Sequence, residues 1–176
     1  MTIYRTRTYI AADFDNDKNA VDQLYKWNNS NHWSLSFTNA HDSRTSSDDS
    51  LYCSIKSSLK YRMDRSKTFV LIVGEHTNTI TKGGCQYCGS YNSYRQYCAK
   101  GHSSVDYRSY IKYECDKAVE AGIKIIVLYN DTRINKSKCP EILRNLGMHA
   151  SMVYEKDGKY YWDYNSVKNA FLKSVY

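Results

Sequence analysis

Long apolar runs are missing from this 176-residue chain. The longest, Phe69–Val73 and Ile123–Tyr129 (the second broken by Lys124), fall far short of the ~20 residues that a membrane helix needs. Met1–Arg7 offers no apolar export segment. The expectation is a soluble, cytoplasmic protein with no membrane partner. The common chemical signatures are missing too. There is no G-x-G-x-x-G and no G-x-x-x-x-G-K-[ST], which removes the dinucleotide fingerprint and the P-loop. There is no G-x-S-x-G elbow, which removes the α/β-hydrolases. The segment Val73-Gly74-Glu75 supplies no aspartate after its strand, so a receiver-domain phosphoacceptor is excluded as well.

What is present is an ordinary globular balance, 41% apolar and 24% charged, enough for one core and far from disorder. Residues 1–176 read as a single domain, since one core serves ~100–200 residues. Lys and Arg outnumber Asp and Glu for a net charge of +7, which either draws anionic partners or only keeps the chain soluble. The basic residues are scattered rather than striped, which argues against nucleic acid as the partner. Six cysteines without an export segment point to thiols or metal ligands rather than disulfides. The 18 tyrosines serve as stacking platforms or as amphipathic edges of the core.

Strand and helix patterns alternate along the chain. A first strand is expected at Thr6–Ala12, ended by the N-cap-rich Asp13-Phe14-Asp15-Asn16-Asp17. Val21, Leu24 and Tyr25 then mark a helix. Trp33–Phe37 alternates like a second strand, and a polar loop Thr38–Ser50 follows. Ser46 and Asp49 have capping-box spacing before the helix of Leu51, Ile55 and Leu59. Phe69–Val73 reads as a strand buried on both faces. Tyr107–Gly122 is the strongest helix, Lys124–Leu128 a further buried strand, Pro140–Gly147 a helix and Ser151–Tyr154 a fifth strand. Asp157-Gly158 predicts a hairpin, and Tyr164, Val167, Phe171 and Val175 a last helix. Such alternation predicts an α/β three-layer fold: a five-stranded, mainly parallel sheet of flavodoxin-like order 2-1-3-4-5 with helices on both faces. Ligands of such sheets sit beyond the strand tips at the switch point, here Asp13–Asn16, Gly74–Thr77 and the loop at His41-Asp42.

Glu114 borders the apolar stripe of its helix, with Tyr110 one turn before it. A desolvated carboxylate of this kind is either a cleft-lining functional group or a helix-edge residue paired with Lys112 or Lys117. The segment Tyr110-Ile-Lys-Tyr-Glu114-Cys, leading into the strand Ile123–Tyr129, resembles the TIR-like domains of bacterial antiphage defence, particularly the Thoeris ThsB proteins. So do the Ala-Asp-Phe-Asp end of the first strand, the loop Asn39-Ala40-His41-Asp42 with Ser46, and Thr68–Gly74 followed by Glu75-His76-Thr77. The resemblance spans most of residues 5–155. It implies a TIR-type fold and an NAD⁺-consuming enzyme, a glycohydrolase or cyclase, in which Glu114 engages the ribose beside nicotinamide. A fixed anion there stabilises an oxocarbenium-like transition state more than the ground state. Asp13, Phe14, Asp15, His41, Asp42, Ser46 and Tyr110 are then the substrate-binding candidates. Phe14 or Tyr110 would stack on a base, while His41, Ser46 and the N–H groups of the Asp13–Asn16 turn would hold the pyrophosphate. The product would be an ADP-ribose-derived signal nucleotide that switches on a separate effector protein. Self-association or a phage protein would serve as the trigger. A catalytically silent interaction or sensing module is the alternative.

The insertion 82–105 departs from that pattern. Cys85, Cys88, Cys98 and His102 form C-x₂-C-x₉-C-x₃-H. This set suits a closed structural Zn²⁺ site, or else is a group of free thiols in a loop. Cys53, Cys115 and Cys139 have no ligand spacing and read as small buried hydrophobes. His32, His76 and His149 stand alone and read as structural or exposed.

Overall fold

The computed structural model describes residues 5–33, 35–40, 51–100 and 105–173. Four strands, β1 (Arg7–Ala11), β2 (Ser66–Val73), β5 (Lys124–Tyr129) and β6 (Met148–Ser151), form an all-parallel sheet in the order β1-β2-β5-β6. Two small antiparallel hairpins stand apart from it: β3 (Tyr91–Asn92) with β4 (Tyr97–Cys98), and β7 (Val153–Lys156) with β8 (Lys159–Trp162). The buried run Phe69–Val73 occupies the sheet centre, where both faces are covered. One face packs on α2 (Tyr52–Met63) and α3 (Tyr110–Glu120), through Tyr9, Phe69, Leu71 and Val127 against Met63, Ile111, Cys115 and Ala118. The other packs on α1 (Lys18–Asn29) and α4 (Tyr164–Leu172), through Ile10, Val70, Ile72 and Leu128 against Leu24, Trp27, Val167 and Ala170. Helices therefore cover both faces, as strand–helix alternation dictates.

The expected five-stranded order is not what the described residues form. Trp33–Phe37 is not a strand: Ser36 adopts φ +55, which breaks an extended run. Phe37 is clasped by Asn28, whose side chain meets both its N–H (2.8 Å) and its C=O (2.9 Å). Its ring stacks on Phe171 at 5.7 Å, and Trp33 lies edge-on to Tyr164. The alternating aromatics thus plug the α1–α4 face. Among the described residues a single parallel bridge, Thr8 to Asn39, touches the free edge of β1.

Two further expectations shift. The strand placed at Ser151–Tyr154 straddles a corner, since β6 ends at Ser151 and β7 begins at Val153. Met152, fully buried, makes the corner by donating to Tyr129 O (2.8 Å) and accepting from Asp163 N (2.7 Å). The helix expected over Pro140–Gly147 is one 3-10 turn, Glu141–Leu143. The Leu143 carbonyl accepts from Leu146 N at 3.1 Å, and the Leu143 and Leu146 carbonyls lie 3.1 and 3.0 Å from His149 Nε2. The helix expected from Tyr107 begins at Tyr110, with Ser109 as its N-cap accepting from Lys112 N. Gly122 ends it at φ +61, as expected. Helix α2 begins at Tyr52, and Ser46 and Asp49 lie outside the described residues. The Asp157-Gly158 turn forms with both residues at positive φ (54° and 71°), the signature of a tight hairpin.

Candidate active site around Glu114

Helix α3 carries Glu114 on the side that faces β1, and the carboxyl is buried, the residue being only 7% exposed. Across the interface Tyr9, in the middle of β1 and fully buried, donates its hydroxyl to Glu114 Oε1 at 2.5 Å. Burial is the dominant influence on Glu114 and pushes its pKa up to about 7. The Tyr9 hydrogen bond and the positive charge of Arg62 on α2 oppose it. Burial and the neighbouring Glu114 together drive the Tyr9 phenol well above its ordinary value, so it stays protonated and donates. The pairing with Lys112 or Lys117 does not form: Lys117 binds Glu120 at 2.6 Å. A carboxyl poised near neutrality beside a fixed phenol can exist as an anion or an acid over the physiological range, which is the property that acid–base and charge-stabilising groups need.

Tyr110 opens α3 one turn earlier. Its ring rests on Gly83, where a Cβ would come within 2.5 Å of it, and meets Tyr52 edge-on at 5.7 Å. Its hydroxyl is buried without a hydrogen-bond partner. The backbone N–H of Tyr110 binds Lys82 O (2.9 Å), which ties α3 to the start of the insertion. Asp13 is buried and its oxygens serve its own turn, accepting from Asp15 N (3.2 Å) and Asn16 Nδ2 (2.6 Å). The N–H groups of Asn16 and Asp17 bind Asp13 O. Of the turn's N–H groups expected to hold a pyrophosphate, those of Asp15 and Asn16 are bonded within the turn. Phe14 is half exposed, and Asp15 pairs with Lys82 at 3.2 Å. His41, Asp42 and Ser46 lie outside the described residues.

The strand tips do enclose the expected hollow, of about 300 Å³, lined by Asn16, Asp17, Gly74, His76, Asn130 and Lys138 among others. Glu114 is not among its lining residues. Asp17 is the residue that sequence reading treated only as one N-cap candidate. It holds the N-cap position of α1, yet its side chain caps nothing. Instead it packs on Gly74 and accepts from Asn130 Nδ2 at 2.9 Å, leaving Oδ2 buried without a partner. Burial raises its pKa, partly countered by Asn130. The only sequence hint was the acidic run that it ends.

In the insertion, Cys85 and Cys98 are buried and Cys88 is half-buried, all as free thiols, while His102 lies outside the described residues. Among the described residues no three His, Cys, Asp or Glu side chains come together to hold a metal ion. Hydrogen bonds link the described residues of the insertion. Cys88 N binds Cys85 O and Cys85 N binds Asp106 O, while the Tyr91 and Tyr107 hydroxyls meet at 3.1 Å. Cys115 and Cys139 are fully buried, as read, while Cys53 is only partly so. His149 is structural, its Nδ1 lying 2.9 Å from the Tyr129 hydroxyl. Among the described residues no helix is long and apolar enough to cross a membrane.

Comparison with known proteins gives one family. Residues 9–82 match the TIR-like domain of Thoeris protein ThsB, which bears out the resemblance read in the sequence. The matched stretch begins at Tyr9 within β1, holds α1, α2 and β2, and ends before α3 and Glu114. No curated protein matches the chain.

Proposed function

From residues 9–82 as a ThsB-type TIR-like stretch, we propose that the protein is an NAD⁺-cleaving enzyme of antiphage defence with Glu114 as its catalytic residue. The observation that carries the reading is the buried carboxyl of Glu114, poised at about 7 and fixed by Tyr9 on the neighbouring strand. In the reaction the bond between the nicotinamide nitrogen and the ribose carbon breaks, and its electron pair leaves with nicotinamide. The positive charge that grows on the ribose is stabilised by the Glu114 anion, which a low-dielectric site makes worth more than in water. Attack by water then gives ADP-ribose and a proton. Attack by a group of the same molecule gives a cyclic isomer. Tyr110, one turn away with a buried unpartnered hydroxyl, is the nearest candidate to contact a substrate base or sugar. The product acts in the cytoplasm as a diffusible signal for an effector protein.

One observation favours the alternative, a catalytically silent interaction module: Glu114 does not open onto the strand-tip hollow. Both readings meet the same test. Purified protein is incubated with NAD⁺ and nicotinamide release is followed, and nucleotides are extracted from infected cells expressing the chain. Release that falls at least 100-fold in Glu114→Gln supports the enzyme, on the usual scale of a lost charge-stabilising group. Equal release in the variant and the parent defeats it.

A further inference from the structure

The proposed reaction needs Glu114 as an anion, yet its surroundings favour the neutral acid. Among the described residues, charged or titratable neighbours of the carboxyl come from each element packed against it. Tyr9 on β1 donates a hydrogen bond at 2.5 Å, Arg62 on α2 supplies positive charge, and on α3 itself the buried thiol of Cys115 lies alongside. Of these, Tyr9 holds the hydrogen bond that orients a single oxygen. Its ring is fixed in turn, fully buried and stacked on Phe69 at 5.8 Å with 30° between the planes. A rigid phenol on a buried sheet strand is the kind of support that holds a reactive carboxylate in one rotamer. We propose that Tyr9 is a positioning residue for Glu114, holding the carboxylate ionised and aimed through the phenol hydrogen bond. The role rests on Glu114 being the catalytic group of the proposed NAD⁺ reaction, but the coupling itself is measurable without substrate.

A phenol donating to a carboxylate favours the charged form, so its loss moves the carboxyl further toward the neutral acid. Hydrogen bonds to charged groups correspond to a shift of roughly 1–2 pH units. The test is Tyr9→Phe, which keeps the ring and the Phe69 stack and removes only the hydroxyl. The Glu114 carboxyl is titrated by carbon-13 NMR in the parent, in Tyr9→Phe and in Phe69→Leu, which disturbs the same packing but keeps the hydroxyl. The pH profile of nicotinamide release is recorded alongside. The expected result is an upward shift of the Glu114 titration in Tyr9→Phe alone, with the acid limb of kcat moving by the same amount and KM little changed. An unmoved titration in Tyr9→Phe, or equal shifts in both variants, overturns the proposal. A shifted titration in a protein that releases no nicotinamide at any pH upholds the coupling and defeats the NAD⁺ reading.

Discussion

Glu114→Gln is expected to stabilise the folded protein at alkaline pH while removing the proposed chemistry. The parent carboxyl titrates at about 7 when folded, against an ordinary 4.5, because burial disfavours its charge. Between those values the native state binds more protons than the unfolded chain, so stability falls as pH rises through the window and levels off above 7. A gap of about 2.5 units is worth roughly 3 kcal/mol, at about 1.4 kcal/mol per unit. Glutamine carries no charge, and its carbonyl can still accept from Tyr9. Its amide group gains two donors with no acceptor assigned, which returns roughly 1 kcal/mol or more of that gain. The net expectation is a variant more stable by about 1–2 kcal/mol at pH 8, with the advantage gone near pH 5. For a chain of this length that is a rise in Tm of roughly 2–8 °C at pH 8. Thermal and urea unfolding at both pH values measure it. Asp17 and His149 are perturbed in both proteins and cancel in the difference. Parallel stability profiles for parent and variant would refute the buried, pH-poised carboxyl on which the proposed site depends.

Three other substitutions probe the packing and turns of the fold around the site. Lys56 is almost fully buried and donates from Nζ to Asp106 O (3.0 Å) and Arg108 O (2.6 Å), clamping α2 to the segment that precedes α3. Lys56→Met should cost about 1–3 kcal/mol in urea unfolding and speed amide exchange in that segment, leaving β2 protected. Gly147 and Gly158 share positive φ (+75 and +71), but a Cβ at Gly147 would lie 2.3 Å from Ile125 O, whereas Gly158 has open space. Gly147→Ala should therefore cost about 2–4 kcal/mol and Gly158→Ala about 1 kcal/mol, as read by chemical denaturation. Equal costs would show that backbone conformation alone matters at both.

Local patterns were enough wherever a segment's own residues supplied the decisive energy. Phe69–Val73 is apolar at every position and could only be a central strand. Gly122 and Asp157-Gly158 mark their helix end and turn because each interaction closes within a few residues. Glu114 stood out as a carboxylate on the wrong side of a helix stripe, and the family resemblance followed from short motifs in order. The pattern at Trp33–Phe37 misled because alternation reports burial of every second residue, not its partner. Tyr164 and Phe171 took the rings of Trp33 and Phe37, and Asn28 took the Phe37 backbone.

Read alone, the sequence determined an α/β chain with a parallel sheet, two helical layers and one suspicious glutamate. Only the tertiary structure decided what that glutamate meets. Tyr9 is 105 positions away, and Asp17 and Asn130 are 113 apart. Contacts of that separation depend on how right-handed crossovers stack helices over strands, and no sum of local preferences encodes which side chains then face each other. The same crossovers put the strand-tip hollow in one place and the poised carboxyl in another.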